Sequence, residues 1–215
     1  MTRRRFHRCL LAALGSLLLP PAWSAELVEG QDWRPLSPPQ PGTDGTRIEV
    51  LEFFSYGCPH CGQLNPLIGD WAKGLPADVA FQRVPVTFGR AAWANLARVY
   101  FALQLDGTLE RLDQQVFDAV GKQRVNLYTD KAIRDWVAKQ GLDGDAFGSL
   151  LYSFAVEAAL TRAETLAERF RVDAVPMIVV DGRYVVVGSG ARGYQDLLRI
   201  ADGLIEKARQ QRAQG

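Results

Sequence analysis

Residues 52–66 read EFFSYGCPHCGQLNP and hold Cys58 and Cys61 with only Pro59 and His60 between them. A pair so spaced is a structural staple, half of a metal site, or a redox-active dithiol. Its flanks say where it sits. Arg47 to Phe54 (RIEVLEFF) is a β-branched, aliphatic and aromatic run after the turn-rich PGTDGT, which predicts a buried strand. Ser55-Tyr56-Gly57 turns the chain. From Pro59 a helix is predicted to about Lys73, where Gly74 and Pro76 stop it. Pro59 then falls in the first helical turn, where its missing N–H costs nothing, and Cys58 becomes the N-cap. The Cys58 sulfur would accept from the free N–H groups of His60 and Cys61 and feel the positive end of the helix dipole. Cys61, one turn further in, should be more buried and less reactive. Pro66 inside this helix predicts a kink.

The amino-terminal end sets the context of the pair. MTRRRFHR carries four arginines and no acid, and the apolar run Cys9 to Leu19, Pro20-Pro21 and the small residues of AWSA follow it. This order predicts a secretory signal peptide over residues 1–25, with the mature chain starting near Glu26. The apolar run is too short for an uncleaved anchor. Thr2-Arg3-Arg4-Arg5-Phe6 also resembles a twin-arginine export signal. Removing Arg3, Arg4, Arg5 and Arg8 from the 25 Lys and Arg leaves 21 against 24 Asp and Glu, a net charge of about −3. That balance argues against nucleic acid or an anionic membrane surface as a partner. The remaining ~190 residues suit one domain with a large insertion, and 47% hydrophobic residues are enough for a core.

Cys9 and His7 would leave with the signal, so the mature chain keeps two cysteines and His60. Zinc wants four ligands, and a disulfide closing so small a loop restrains the unfolded chain little. The balance favours redox chemistry over a staple or a metal site.

The strand, C-x-x-C and helix in this order resemble the thioredoxin superfamily, and CPHC resembles the DsbA-type thiol:disulfide interchange proteins of the bacterial periplasm. A second motif, VDAVPMIVVDGRYVVV at residues 172–187, strengthens the likeness. Val175-Pro176 fits the loop whose proline is cis in that superfamily and faces the redox pair. Met177 to Val180, the turn Asp181-Gly182 and Arg183 to Val187 read independently as a β-hairpin. After a strand from Val79 to Val86, helices are predicted at Trp93 to Leu105, Thr108 to Val120 (capped by Thr108), Asp130 to Gln140 (capped by Thr129), and, as two nearly continuous pieces, Asp143 to Phe170. A last helix should run from Tyr194 to Arg212, while Pro35 to Pro41 reads as a connector. The resemblance therefore implies an α/β, thioredoxin-like fold with an inserted all-helical domain. Residues 26–88 and 171–215 would form the thioredoxin-like part, and 89–170 the insertion.

The same resemblance implies the chemistry. Cys58 would carry the mixed disulfide and Cys61 would be the cysteine expelled, with Pro59, His60 and Pro176 completing the catalytic set and Val175 and Glu52 supporting it. Glu52, six residues before Cys58, resembles an acid with which the family tunes its buried cysteine or relays its proton; paired with Arg83 on the next strand, it would be merely structural. Tyr56, Phe88 and Met177 are core residues, or line an apolar groove for extended clients. No cofactor beyond a redox-active disulfide is implied. Newly exported, cysteine-containing proteins would be the clients, a DsbB-type quinone-linked membrane oxidase the reoxidising partner, the periplasm the location and a monomer the state. A reductase or isomerase on the same fold, and a chaperone with an incidental cysteine pair, are the competing readings.

Overall fold

The computed structural model describes residues 27–40, 42 and 45–214, so the expected signal peptide, with His7 and Cys9, lies outside the described residues. The elements in chain order are β1 (Trp33–Pro35), β2 (Ile48–Phe54), α1 (Pro59–Lys73), β3 (Val79–Pro85), α2 (Ala91–Asp106), α3 (Leu109–Gly121), α4 (Asp130–Lys139), α5 (Gly144–Leu151), α6 (Phe154–Arg169), β4 (Met177–Val180), β5 (Tyr184–Val186) and α7 (Tyr194–Gln214).

Strand β2 is buried at every position because it lies inside a sheet ordered β1-β5-β4-β2-β3. A strand covered on both faces is mostly apolar, as Ile48, Val50, Leu51, Phe53 and Phe54 are, and here two glutamates, Glu49 and Glu52, are buried with them. Strand β2 pairs parallel with β3, through the α1 crossover, and antiparallel with β4. The β4–β5 hairpin turns through residues 181–183: Asp181 and Gly182 both have positive φ (55° and 59°), and Arg183 N–H donates back to the Val180 carbonyl at 3.1 Å. One element is new: Trp33–Pro35, just ahead of and overlapping the expected connector only at Pro35, pairs antiparallel with β5 as the edge strand, where a proline is tolerated.

Side-chain caps begin several helices, at Thr129 where expected and at Ser153 where the sequence reading named none. Thr129 Oγ1 accepts from Ala132 N–H and starts α4, and Ser153 Oγ does the same for Val156 at the start of α6. Thr108 differs: it stands at the N-cap of α3, yet its hydroxyl donates to Asp106 Oδ2 at 2.8 Å instead of capping. Gly107 ends α2 in the left-handed region, at φ 76°. Pro66 does not end α1, which runs on to Lys73.

Alternation along β2 sends its side chains to opposite layers. Ile48 and Val50 pack with Leu64 and Ile68 of α1 and with Leu198, Leu204 and Ile205 of α7. Leu51 and Phe53 point the other way, toward Ala163 of α6 and Phe170. A third cluster fills the helical layer with Leu96, Leu103, Leu112, Phe117, Ile133 and Trp136, and it includes Phe54, Tyr56, Cys58 and Cys61. Each fully buried Phe contributes about 1.5–3 kcal/mol of transfer free energy. The cysteine pair thus lies where the sheet layer meets the helical layer.

Candidate active site

Cys58 caps α1 in an extended conformation (φ −100°, ψ 115°), and its Sγ accepts from Cys61 N–H at 3.4 Å. Across from the helix, its thiol donates to the carbonyl of Val175 at 3.3 Å, and the Val175–Pro176 peptide is cis. Both cysteines are free thiols, Cys58 7% exposed and Cys61 fully buried. The Cys58 thiol is pulled down to about 6. The Cys61 side chain, donating a hydrogen bond to it, does most of this. Burial opposes the pull, and the backbone N–H groups of Cys61 and His60 and the His60 charge add to it. Cys61 moves far up for the complementary reasons: it donates to Cys58, it is buried, and it faces a thiolate. Two identical side chains one helical turn apart therefore hold a thiolate and a thiol at neutral pH.

Pro59 occupies the first helical position and is exposed, as is His60. The His60 ring is held from outside α1: Nδ1 lies 2.8 Å from Tyr194 Oη at the start of α7. That hydroxyl also donates to Gln63 Oε1 at 2.8 Å. Tyr194 is a site residue that sequence reasoning missed, since there it marks only a helix start and stands 134 positions from His60.

Glu52 is fully buried on the β2 face shared with Val50 and Phe54. The pairing with Arg83 is real: Arg83 Nε donates to Glu52 Oε2 at 2.6 Å. Arg83 Nη1 donates to Asp113 Oδ2 of α3 at 2.7 Å, Tyr56 Oη donates to Asp113 Oδ1 at 2.5 Å, and the guanidinium lies 4.1 Å over the Phe54 ring. Glu52 Oε1 and Arg83 Nη2 are buried without a hydrogen-bond partner. Burial raises the Glu52 carboxyl above its ordinary value, and Arg83 draws it back only in part. The Glu52 charge in turn adds to the rise at Cys61.

Aromatic rings close in on the motif. A Cβ on Gly57 would lie 2.9 Å from the Trp93 indole, and one on Gly62 3.1 Å from the Phe117 ring. Tyr56 and Met177 are buried core residues, which removes them from any open groove; Phe88 keeps 36% of its surface exposed, its ring tilted against that of Trp93 with centroids 5.6 Å apart. Among the described residues no group of His, Cys, Asp and Glu converges as a metal site.

Known proteins share this arrangement in sequence and in shape. Residues 49–199 match the family model described as DSBA-like thioredoxin domain. The thiol:disulfide interchange protein DsbA of Bordetella parapertussis is 38% identical, over 97% of this chain and 100% of its own length. That of Pseudomonas aeruginosa is 36% identical, over 93% of this chain and 94% of its own. The crystal structure of Pseudomonas aeruginosa DsbA superposes with a TM-score of 0.81 at 35% identity, covering 88% of this chain and 98% of that one. The order of strands and helices, the capped cysteine pair and these likenesses agree, and the chain belongs to the DSBA-like thioredoxin domain family.

Proposed function

We propose that this protein is a periplasmic dithiol oxidase, a thiol:disulfide oxidoreductase that donates a Cys58–Cys61 disulfide to newly exported, cysteine-containing proteins. A client thiolate attacks Cys58 Sγ of the oxidised protein, forming a mixed disulfide as the bond to Cys61 breaks and Cys61 leaves with the electron pair. Its high proton affinity lets Cys61 take up a proton there. The client's second thiolate then attacks the client sulfur of the mixed disulfide and releases Cys58 as a thiolate, so two electrons pass from client to protein. The observation that carries this reading is the placement of Cys58 at the N-cap with its thiol drawn down to about 6, which makes it the better leaving group and stabilises the reduced protein.

The supporting residues have distinct parts. Pro59 keeps the cap without a competing N–H, and Pro176 likewise adds no donor while the Val175 carbonyl meets Cys58. His60 adds positive charge near the thiolate, and Glu52 acts on Cys61. In this reading residues 1–25 are the export signal, 26–88 and 171–215 the thioredoxin-like body and 89–170 its helical insertion. The redox-active disulfide is the sole redox group, a DsbB-type quinone-linked membrane oxidase restores it, and the protein works as a monomer.

The test is the reduction potential of the purified mature protein in graded glutathione buffers. A value near about −120 mV, for which DsbA is itself the reference case, supports a disulfide donor. A value near about −270 mV overturns the reading in favour of a reductase.

A further inference from the structure

We propose that Tyr194 is a positioning residue of the redox site, whose hydroxyl clamps the His60 imidazole from α7 and so helps to set how strongly the Cys58–Cys61 pair oxidises. The proposal rests on the reading of Cys58 as the attacked sulfur. A tyrosine hydroxyl has one proton, and here it is given to Gln63 Oε1. Only lone pairs remain for His60, so its Nδ1, 2.8 Å away, must carry the hydrogen and donate. The ring of an exposed histidine on the first helical turn, which would otherwise sample several rotamers, is thereby fixed at one nitrogen, and Nε2 is the atom left free.

Gln63 stands one turn after His60 on α1, so the hydroxyl bridges two side chains of the helix that carries both cysteines. Tyr194 itself is half-buried, and the charges of Cys58 and Cys61 add to burial in disfavouring its ionisation, which places the phenol in the field of the pair. It stays a neutral donor and acceptor. The ionisable groups acting on the Cys58 sulfur are Cys61 and His60 of α1, with Glu52 of β2 behind Cys61 and Tyr194 on the α7 side. Of these, His60 is held by a contact from another element, so α7 reaches the sulfur through it. The Arg199 guanidinium is paired with Asp196, which also accepts the backbone N–H of Arg192.

Tyr194→Phe removes the hydroxyl and keeps the ring. The prediction is an upward shift in the Cys58 titration, followed by the ultraviolet absorbance of its thiolate, and a fall of about threefold in the equilibrium constant for oxidising glutathione. For this two-electron couple, threefold corresponds to about 14 mV. In a His60→Ala background the same substitution should change neither quantity further. The inference is overturned if Tyr194→Phe alters only the melting temperature, or if it shifts the potential equally with and without His60. A separate control isolates the underlying reading: if Cys58→Ser still oxidises a reduced client peptide, that reading fails whatever Tyr194 does.

Discussion

Cys58 and Cys61 begin as the same side chain, and position alone gives one the thiolate and the other the proton. The consequence for stability has a definite sign. In the reduced folded protein Cys58 titrates at about 6, against an ordinary value of 9.0. Below about 6 both folded and unfolded chains carry the thiol, and the group contributes nothing. Between about 6 and 9 only the unfolded chain still binds the proton, so stability rises with pH, reaching at most about 4 kcal/mol. Cys61, whose proton is held more tightly when folded, works in the opposite sense only above that window. Urea unfolding of the reduced protein across this range should show the rise, and Cys58→Ser should flatten it; an equal slope in the variant would exclude the thiolate as its source. Cys58, Pro59 and Cys61 were legible in the sequence because a cap, its proline and the next turn are neighbours in the chain. Tyr194 and Asp113 were not, since their contacts with His60 and Tyr56 join residues 134 and 57 positions apart and leave no local pattern.

Arg83 ties together three elements, taking Glu52 from β2 and Asp113 from α3 while itself on β3. Removing one member of a buried ion pair leaves an uncompensated charge, at a cost of about 3–5 kcal/mol. Arg83→Met should cost that much in urea denaturation at neutral pH. Adding Glu52→Gln should recover part of it, because the stranded carboxylate is gone; a double variant less stable than the single would contradict this account. The turn into α1 invites a second test. Gly57 has no room for a methyl group, since the Trp93 ring stands 2.9 Å from where its Cβ would be and a half-buried, rigid indole yields less readily than the tip of a flexible chain. Gly57→Ala should lose about 1–3 kcal/mol as overpacking, and Trp93→Leu should relieve it; failure of that rescue in thermal unfolding would place the strain elsewhere. Neither contact has a sequence signature, whereas the helices around them do. The Thr129 cap and the Asp181-Gly182 turn are local chemistry, readable from a few residues. Strand β1 escaped reading because three residues ending in proline become a strand only by pairing with β5. Thr108 misled for the same reason in reverse, its hydroxyl preferring Asp106 over the helix it begins.

The helical segment between β3 and β4 is long enough to read as a separate body, yet its core is not separate. Phe54, the last residue of β2, sits in one cluster with Leu96, Leu103, Leu112 and Trp136 from α2, α3 and α4, and that cluster contains both cysteines. Phe54 also meets Tyr100 and Phe117 edge-on or tilted, with centroids 5.2 and 6.0 Å away. The Arg83–Asp113 bond crosses the same boundary. The redox pair is therefore held by both layers at once, and neither should open without disturbing it. Truncating a fully buried Phe costs about 3–5 kcal/mol through lost transfer energy and the cavity left behind. If the layers fold as one unit, Phe54→Ala should destabilise both equally, so that hydrogen exchange of the most protected amides in β2 and in α4 falls by the same free energy. Far-ultraviolet circular dichroism, dominated by the helices, should then report the same urea midpoint as those amides. Retained protection in α4, which holds Ile133, Trp136 and Val137 well away from Phe54 in the chain, would instead show that the helical layer stands alone. In that case the Cys58 thiolate would owe its environment to the sheet layer and α1, and substitutions confined to α4 and α5 should leave the reduction potential unchanged.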